Sequence, residues 1–151
     1  MAEFTYNPIQ VVQPNQPVLL NTTIGCNKGY VLHREGSGIV TLRGIVNNPT
    51  NCFARYQVTF NGNIAVPEGG AVGPISVALA IDGEPVLTGR AIVTPAAVDE
   101  YFNVTSTAIV TVPRGCCFNI SVENTSESVD PIIPAPVINV QNANLVISRI
   151  A

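Results

Sequence analysis

Residues 54–65 read Ala54-Arg55-Tyr56-Gln57-Val58-Thr59-Phe60-Asn61-Gly62-Asn63-Ile64-Ala65. Tyr56, Val58, Phe60 and Gly62 alternate with polar residues, which puts them on one face of a β-strand and the polar set on the other. Downstream, the Pro67-Glu68-Gly69-Gly70 loop leads to Ile75–Ile81, and the Asp82-Gly83-Glu84-Pro85 turn returns as Val86–Val93. Phe102–Val112, a turn at Pro113-Arg114-Gly115, Cys117–Glu123, a Ser-, Asp- and Pro-rich loop over 124–136, and Ile138–Ile150 complete the chain. Upstream, Tyr30–Arg34 and Ile39–Val46 flank the Glu35-Gly36-Ser37-Gly38 turn as a hairpin, preceded by Pro17–Thr23. β-branched residues dominate these runs, and Gly, Pro, Asn and Asp punctuate them at short intervals.

The spacing predicts eight to ten strands and no long helix. That many strands in 151 residues must double or close the sheet to hide its edges. The expected fold class is therefore all-β, a two-sheet antiparallel jelly roll. An immunoglobulin-like sandwich ranks second, because the chain has no Trp. Residues 1–15, with Pro8 and Pro14, read as an extended arm, leaving 16–151 as the jelly-roll domain.

Composition narrows the function. Charged residues make up 11% of the chain, against about 25% in ordinary soluble domains, which implies surface covered by other protein. No apolar run approaches the length of a spanning helix, and Met1–Thr5 lacks the pattern of a secretion signal, so no membrane role is expected. Net charge is −3 and the arginines are scattered singly, which argues against nucleic acid. In Ile75–Ile81 one face carries Ile75, Val77, Leu79 and Ile81, and the other Ala78 and Ala80, with only Ser76 polar. A strand apolar on both sides must be covered on both, and a homotrimer with one sheet turned to its axis supplies the cover.

Motifs for chemistry are sparse. Cys26, Cys52, Cys116 and Cys117 are expected as buried free thiols in a reducing compartment, with a Cys26–Cys52 or Cys52–Cys116 bridge as the alternative. His33, the sole histidine, reads as a pH-sensitive contact between subunits. Asp99-Glu100 reads as a solvated loop, because sequence neighbours face apart on a strand. Neither a metal-ligand spacing nor a phosphate loop occurs, so no cofactor, no metal and no enzymatic activity are expected.

The strand Tyr56-Gln57-Val58-Thr59-Phe60 resembles the "G-x-Y-x-V-x-F" strand of the tumour-necrosis-factor and complement globular-head superfamily, with Ala54 in place of its glycine. The small turn at Ile81-Asp82-Gly83-Glu84 and the terminal Asn144-Leu145-Val146-Ile147-Ser148-Arg149-Ile150 follow in that superfamily's order. The strings HREGSGIVTLRG, VPEGGAVGPISVALAIDGEPV and VPRGCCFNISVENTS look similar to jelly-roll proteins of Firmicutes bacteria, their phages and prophages. The resemblance implies a compact trimeric knob on a virion, spore or cell surface.

The expected function is that of a non-enzymatic trimeric virion surface protein, a head decoration or fibre-head knob assembled in the bacterial cytoplasm. Its arm would dock on a capsid or fibre protein through Phe4, Tyr6 and Ile9. Tyr56, Val58, Phe60, Leu79, Ile81, Phe102 and Ile147 would supply core or trimer packing. The alternatives are a module binding a host glycan or receptor through the loops at 47–51, 67–73, 94–100 and 124–136, and a structural protein of a bacterial cell or spore surface.

Overall fold

The computed structural model describes residues 2–24, 29–45, 50, 52–128 and 131–151. Twelve strands appear among them: β1 (Ala2–Tyr6), β2 (Gln10–Val12), β3 (Thr22–Ile24), β4 (Val31–His33), β5 (Val40–Arg43), β6 (Phe53–Ala65), β7 (Ile75–Ile81), β8 (Glu84–Pro85), β9 (Ala91–Val93), β10 (Phe102–Pro113), β11 (Cys117–Asn124) and β12 (Ile138–Arg149). They form two antiparallel sheets of six strands. The first runs β10-β6-β12-β1-β3 with β2 also on β12, and the second β4-β5-β11-β7-β8 with β9 also on β7. This is the expected two-sheet architecture.

The alternation in β6 decides its orientation. Ala54, Tyr56, Val58, Phe60 and Ile64 are fully buried between the sheets. In register with them stand Val112 and Val110 on β10 and Leu145 and Ile147 on β12. Val40, Leu42, Val77, Leu79, Ile120 and Val122 face them from the second sheet and join the same core. Burying each such large side chain contributes roughly 1.5–3 kcal/mol, so this interior rather than any polar contact holds the sheets together. Asp82 and Gly83 both take positive φ, 50° and 83°, which is the twist a two-residue hairpin between β7 and β8 requires.

Three expectations change. First, the expected extended arm of residues 1–15 is, from residue 2 onward, part of the sandwich. Ala2–Tyr6 is inserted between β12 and β3, with Phe4 opposite Leu145, and the Phe4 side chain is wholly buried. Residues 15–18 then bond to β11 through Asn15 N–H to Asn124 O and Val18 N–H to Val122 O. Phe4 therefore anchors nothing outside the chain; Tyr6 is half-buried and Ile9 exposed.

Second, both faces of β7 are already buried within one chain. Ser76, Ala78 and Ala80 are small and lie low between the Ile92, Glu123 and Pro85 positions that flank them in the ladders. The Ser76 hydroxyl is bonded to Thr125 and its N–H to Ser126 Oγ. Two-sided burial here needs no sister chain. Third, the expected return strand Val86–Val93 begins as a short 3-10 turn, Leu87–Gly89, and only Ala91–Val93 pairs.

Candidate functional site

The strand directions give the sandwich two unlike ends. At one end β6 and β11 finish and β7 and β12 begin, so the loops 66–74 and 125–137 meet there. The first loop turns at Pro67–Gly70, closed by Gly70 N–H to Pro67 O at 3.0 Å. The second holds Ile133-Pro134-Ala135-Pro136-Val137, where the prolines fix φ and leave no N–H to satisfy. Between them lies a groove of about 660 Å³, walled by Val66, Pro67, Val72, Pro74, Ile133 and Pro136. Val72 and Ile133 are about half exposed on its rim.

A smaller hollow of about 270 Å³ continues past Pro74 and Glu127, lined by Ile75, Ser76, Arg90, Ile92 and Ser128. Arg90 Nη1 meets Glu127 Oε1 at 2.8 Å where the two join. With Glu68 at the other side, the groove carries one ion pair and one further carboxylate on an otherwise apolar lining.

Asn124 holds this end in shape. It is fully buried, and its Nδ2 donates to Val12 O and to Pro136 O, both at 3.0 Å. Its Oδ1 accepts Ser126 N–H at 3.0 Å. One side chain thus ties the N-terminal segment, the end of β11 and one groove wall.

Beside it, Glu123 is buried on the outer face of the second sheet, opposite Ala78. Burial pushes its carboxyl above the ordinary range, and the nearby Glu84 adds to the rise. A carboxyl raised in the folded state favours folding while protonated and loses that advantage as pH climbs through its folded value. Glu123→Gln is expected to raise the thermal midpoint at about pH 7, with the gain vanishing below about pH 4, where both states are protonated. Melting curves at the two pH values check this.

The residues singled out from sequence fall elsewhere. Tyr56, Val58, Phe60, Leu79 and Ile147 are buried between the sheets, and Ile81 packs against that core, so they join sheet to sheet rather than chain to chain. Phe102 is half-buried, opposite Ile64. His33 is an internal tie, not a subunit contact. Its Nε2 lies 2.9 Å from Ser37 O, its Nδ1 2.8 Å from Thr23 Oγ1, and its ring packs on Phe4 at 4.6 Å. The Ser37 carbonyl can only accept, so in the neutral ring Nε2 carries the proton and Thr23 donates to Nδ1.

Asp99 and Glu100 shape a loop: Asp99 N–H bonds Val66 O, and Glu100 Oε2 accepts Ala97 N–H at 3.1 Å. The expected burial of the thiols does not hold, since Cys52, Cys116 and Cys117 are free and exposed; Cys26 lies outside the described residues. Of the four loops expected to carry recognition, 67–73, 94–100 and 124–136 share the groove end, and 47–49 and 51 lie outside the described residues. Among the described residues no three His, Cys, Asp or Glu side chains converge in a way that would hold a metal ion.

No family model matches the chain, and no curated protein matches it. Solved structures do. The globular domain of a zebrafish complement 1qA protein superposes with a TM-score of 0.52, over 96% of this chain and 94% of that one, at 14% identity. The fold is that of the complement globular head. This agrees with the jelly roll expected from the order of strands. The C-terminal domain of EclA, a sugar-binding protein, aligns over 78% of this chain and 81% of that one at 16% identity, but with a TM-score of 0.38 it carries no argument.

Proposed function

We propose that the chain is a non-enzymatic recognition module of this jelly-roll type, binding a protein segment in the groove between loops 66–74 and 133–137. The observation that carries the reading is the groove itself: concave, lined by Val, Ile and Pro, and edged by a few polar groups, the usual make-up of a specific binding site. The two glutamates and the single paired arginine favour a segment with apolar side chains beside a basic residue. In this proposal the module is a homotrimer, so that three weak grooves act together.

The outer face of the first sheet suits that assembly. Gln57, Thr59, Asn61, Thr105, Thr107, Asn144 and Val146 present short side chains there, and their hydrogen bonds run across the strands, as between Thr59 and Thr107 at 3.0 Å. Ile109 on β10 and Ile24 on β3 add exposed apolar surface. A sheet face with so few charges loses little on desolvation and can be matched by its own copies.

Carriage on a phage virion, with a capsid or fibre protein as the second partner, is the finer part of the proposal. It rests on the resemblance of the sequence strings to phage and prophage jelly rolls, and residues 2–15 can serve that attachment only through their exposed positions, such as Ile9 and Val11.

Val72→Arg is expected to abolish binding to host cells in a pull-down or flow assay, a loss of at least about tenfold, while leaving the thermal midpoint within a degree or two. Unchanged cell binding by Val72→Arg would remove the groove from the function. Binding by the native protein on a glycan array, and to protease-treated cells, would replace the protein ligand with a sugar.

A further inference from the structure

The end opposite the groove carries a different chemistry. There the turn after β10 links the two sheets. Arg114 N–H donates to Cys52 O at 2.8 Å, and Gly44 N–H donates to Cys116 O at 2.9 Å. Arg43 stands directly opposite Cys117 in the β5–β11 ladder. Position 44 must be glycine, because a Cβ there would lie 2.2 Å from Pro113 O. Cys52, Cys116 and Cys117 are thus gathered around one turn, all exposed, although a free cysteine is ordinarily among the most buried of residues.

Four of the six arginines belong to the same end: Arg43, Arg55, Arg114 and Arg149. Arg55 accepts Ile150 N–H at its backbone oxygen, and Arg149 pairs with Tyr56, which brings the last strand to this end as well. Arg55 lies over the Phe53 ring at 4.6 Å and Arg149 over Tyr30 at 4.4 Å. Among the described residues the one salt bridge is Arg90–Glu127, on the groove side, so no carboxylate side chain pairs with these four guanidinium groups. The carboxylates at this end are Asp82, whose Oδ1 accepts the Asn119 N–H two residues from Cys117, and Glu84 in the adjoining hairpin, so the four arginines outnumber them around three accessible thiols.

We propose that this end is a site of thiol–disulfide exchange with anionic low-molecular-weight disulfides of the glutathione type. The arginines draw in the carboxylate-bearing reagent and the thiols react with it. A thiolate of Cys52, Cys116 or Cys117 attacks one sulfur of the disulfide. The reagent's S–S bond breaks as the mixed S–S bond forms, and the departing thiolate takes up the proton that the cysteine gave to solvent. The protein sulfur is oxidised and the released half of the reagent is reduced. Each addition places a carboxylate-bearing group among the arginines of this end.

The test compares two reagents on the folded chain and on the same chain in denaturant: glutathione disulfide, which is anionic, and cystamine, which is cationic. In low salt the ratio of anionic to cationic rate is expected to be about tenfold higher for the folded chain, and to fall toward the unfolded value at high salt. Peptide mapping by mass spectrometry is expected to place the adducts on Cys52, Cys116 and Cys117. Arg43→Gln with Arg114→Gln should lower the folded-state ratio several-fold without changing the thermal midpoint. Equal ratios in the folded and unfolded chain, a ratio indifferent to the arginine substitutions, or adducts confined to Cys26 would each overturn the proposal.

Discussion

Asn124→Ala is expected to destabilise the protein by about 3–5 kcal/mol. The residue is fully buried, and its amide serves Val12 O, Pro136 O and Ser126 N–H together. Truncation removes three hydrogen bonds and strands those backbone groups where water cannot easily reach. An unsatisfied buried group costs about 1–3 kcal/mol, so the upper part of the range applies if the site stays closed and the lower part if water enters. The denaturant midpoint should fall with little change in slope, since the surface exposed on unfolding is almost the same. The groove should loosen too, because Pro136 loses its tether. A shift below about 1 kcal/mol would mean that the three contacts do not hold this end.

If the chain is the proposed trimer, Thr59→Arg is expected to convert it to single chains. Thr59 lies near the middle of the outer face of the first sheet, between Thr107 and Val146 in the ladders. Within one chain the change is mild. It removes the exposed hydrogen bond to the Thr107 hydroxyl, and an arginine there can extend into solvent. In an oligomer closed through this face it buries an unpaired charge once per subunit, at a cost of several kcal/mol each time. The variant should keep its circular dichroism spectrum and its groove while losing avidity. Retained assembly would put the subunit contact on another face.

Much of the fold is legible in the chain because local pattern and burial agree there. Tyr56, Val58 and Phe60 alternate as a half-buried strand must, and Asp82-Gly83 marks its hairpin in a form that few other residue pairs allow. Ala2–Tyr6 is harder to read. Its partners are residues 143–147 at the far end of the sequence, and nothing local to it, with Pro8 and Pro14 close by, distinguishes a paired strand from an arm.

The reading of β7 failed for a different reason. Two apolar faces imply two covering layers only when the side chains are large, whereas Ser76, Ala78 and Ala80 are covered by their own neighbours. Cysteine burial was inferred from compartment, which governs oxidation and not position; Cys52 and Cys116 sit beside a turn, and turns lie at the surface. For the groove, the sequence marks 67–73 and 124–136 as loops but not that they meet. Their meeting depends on β6, β7, β11 and β12 having their ends on the same side of the sandwich.

The proposed trimer is tested most directly by the mass of the purified chain in dilute buffer, measured by light scattering. Three chains of 15.9 kDa moving as one particle is the predicted result. A particle of one chain's mass, unchanged as the concentration rises, would contradict it.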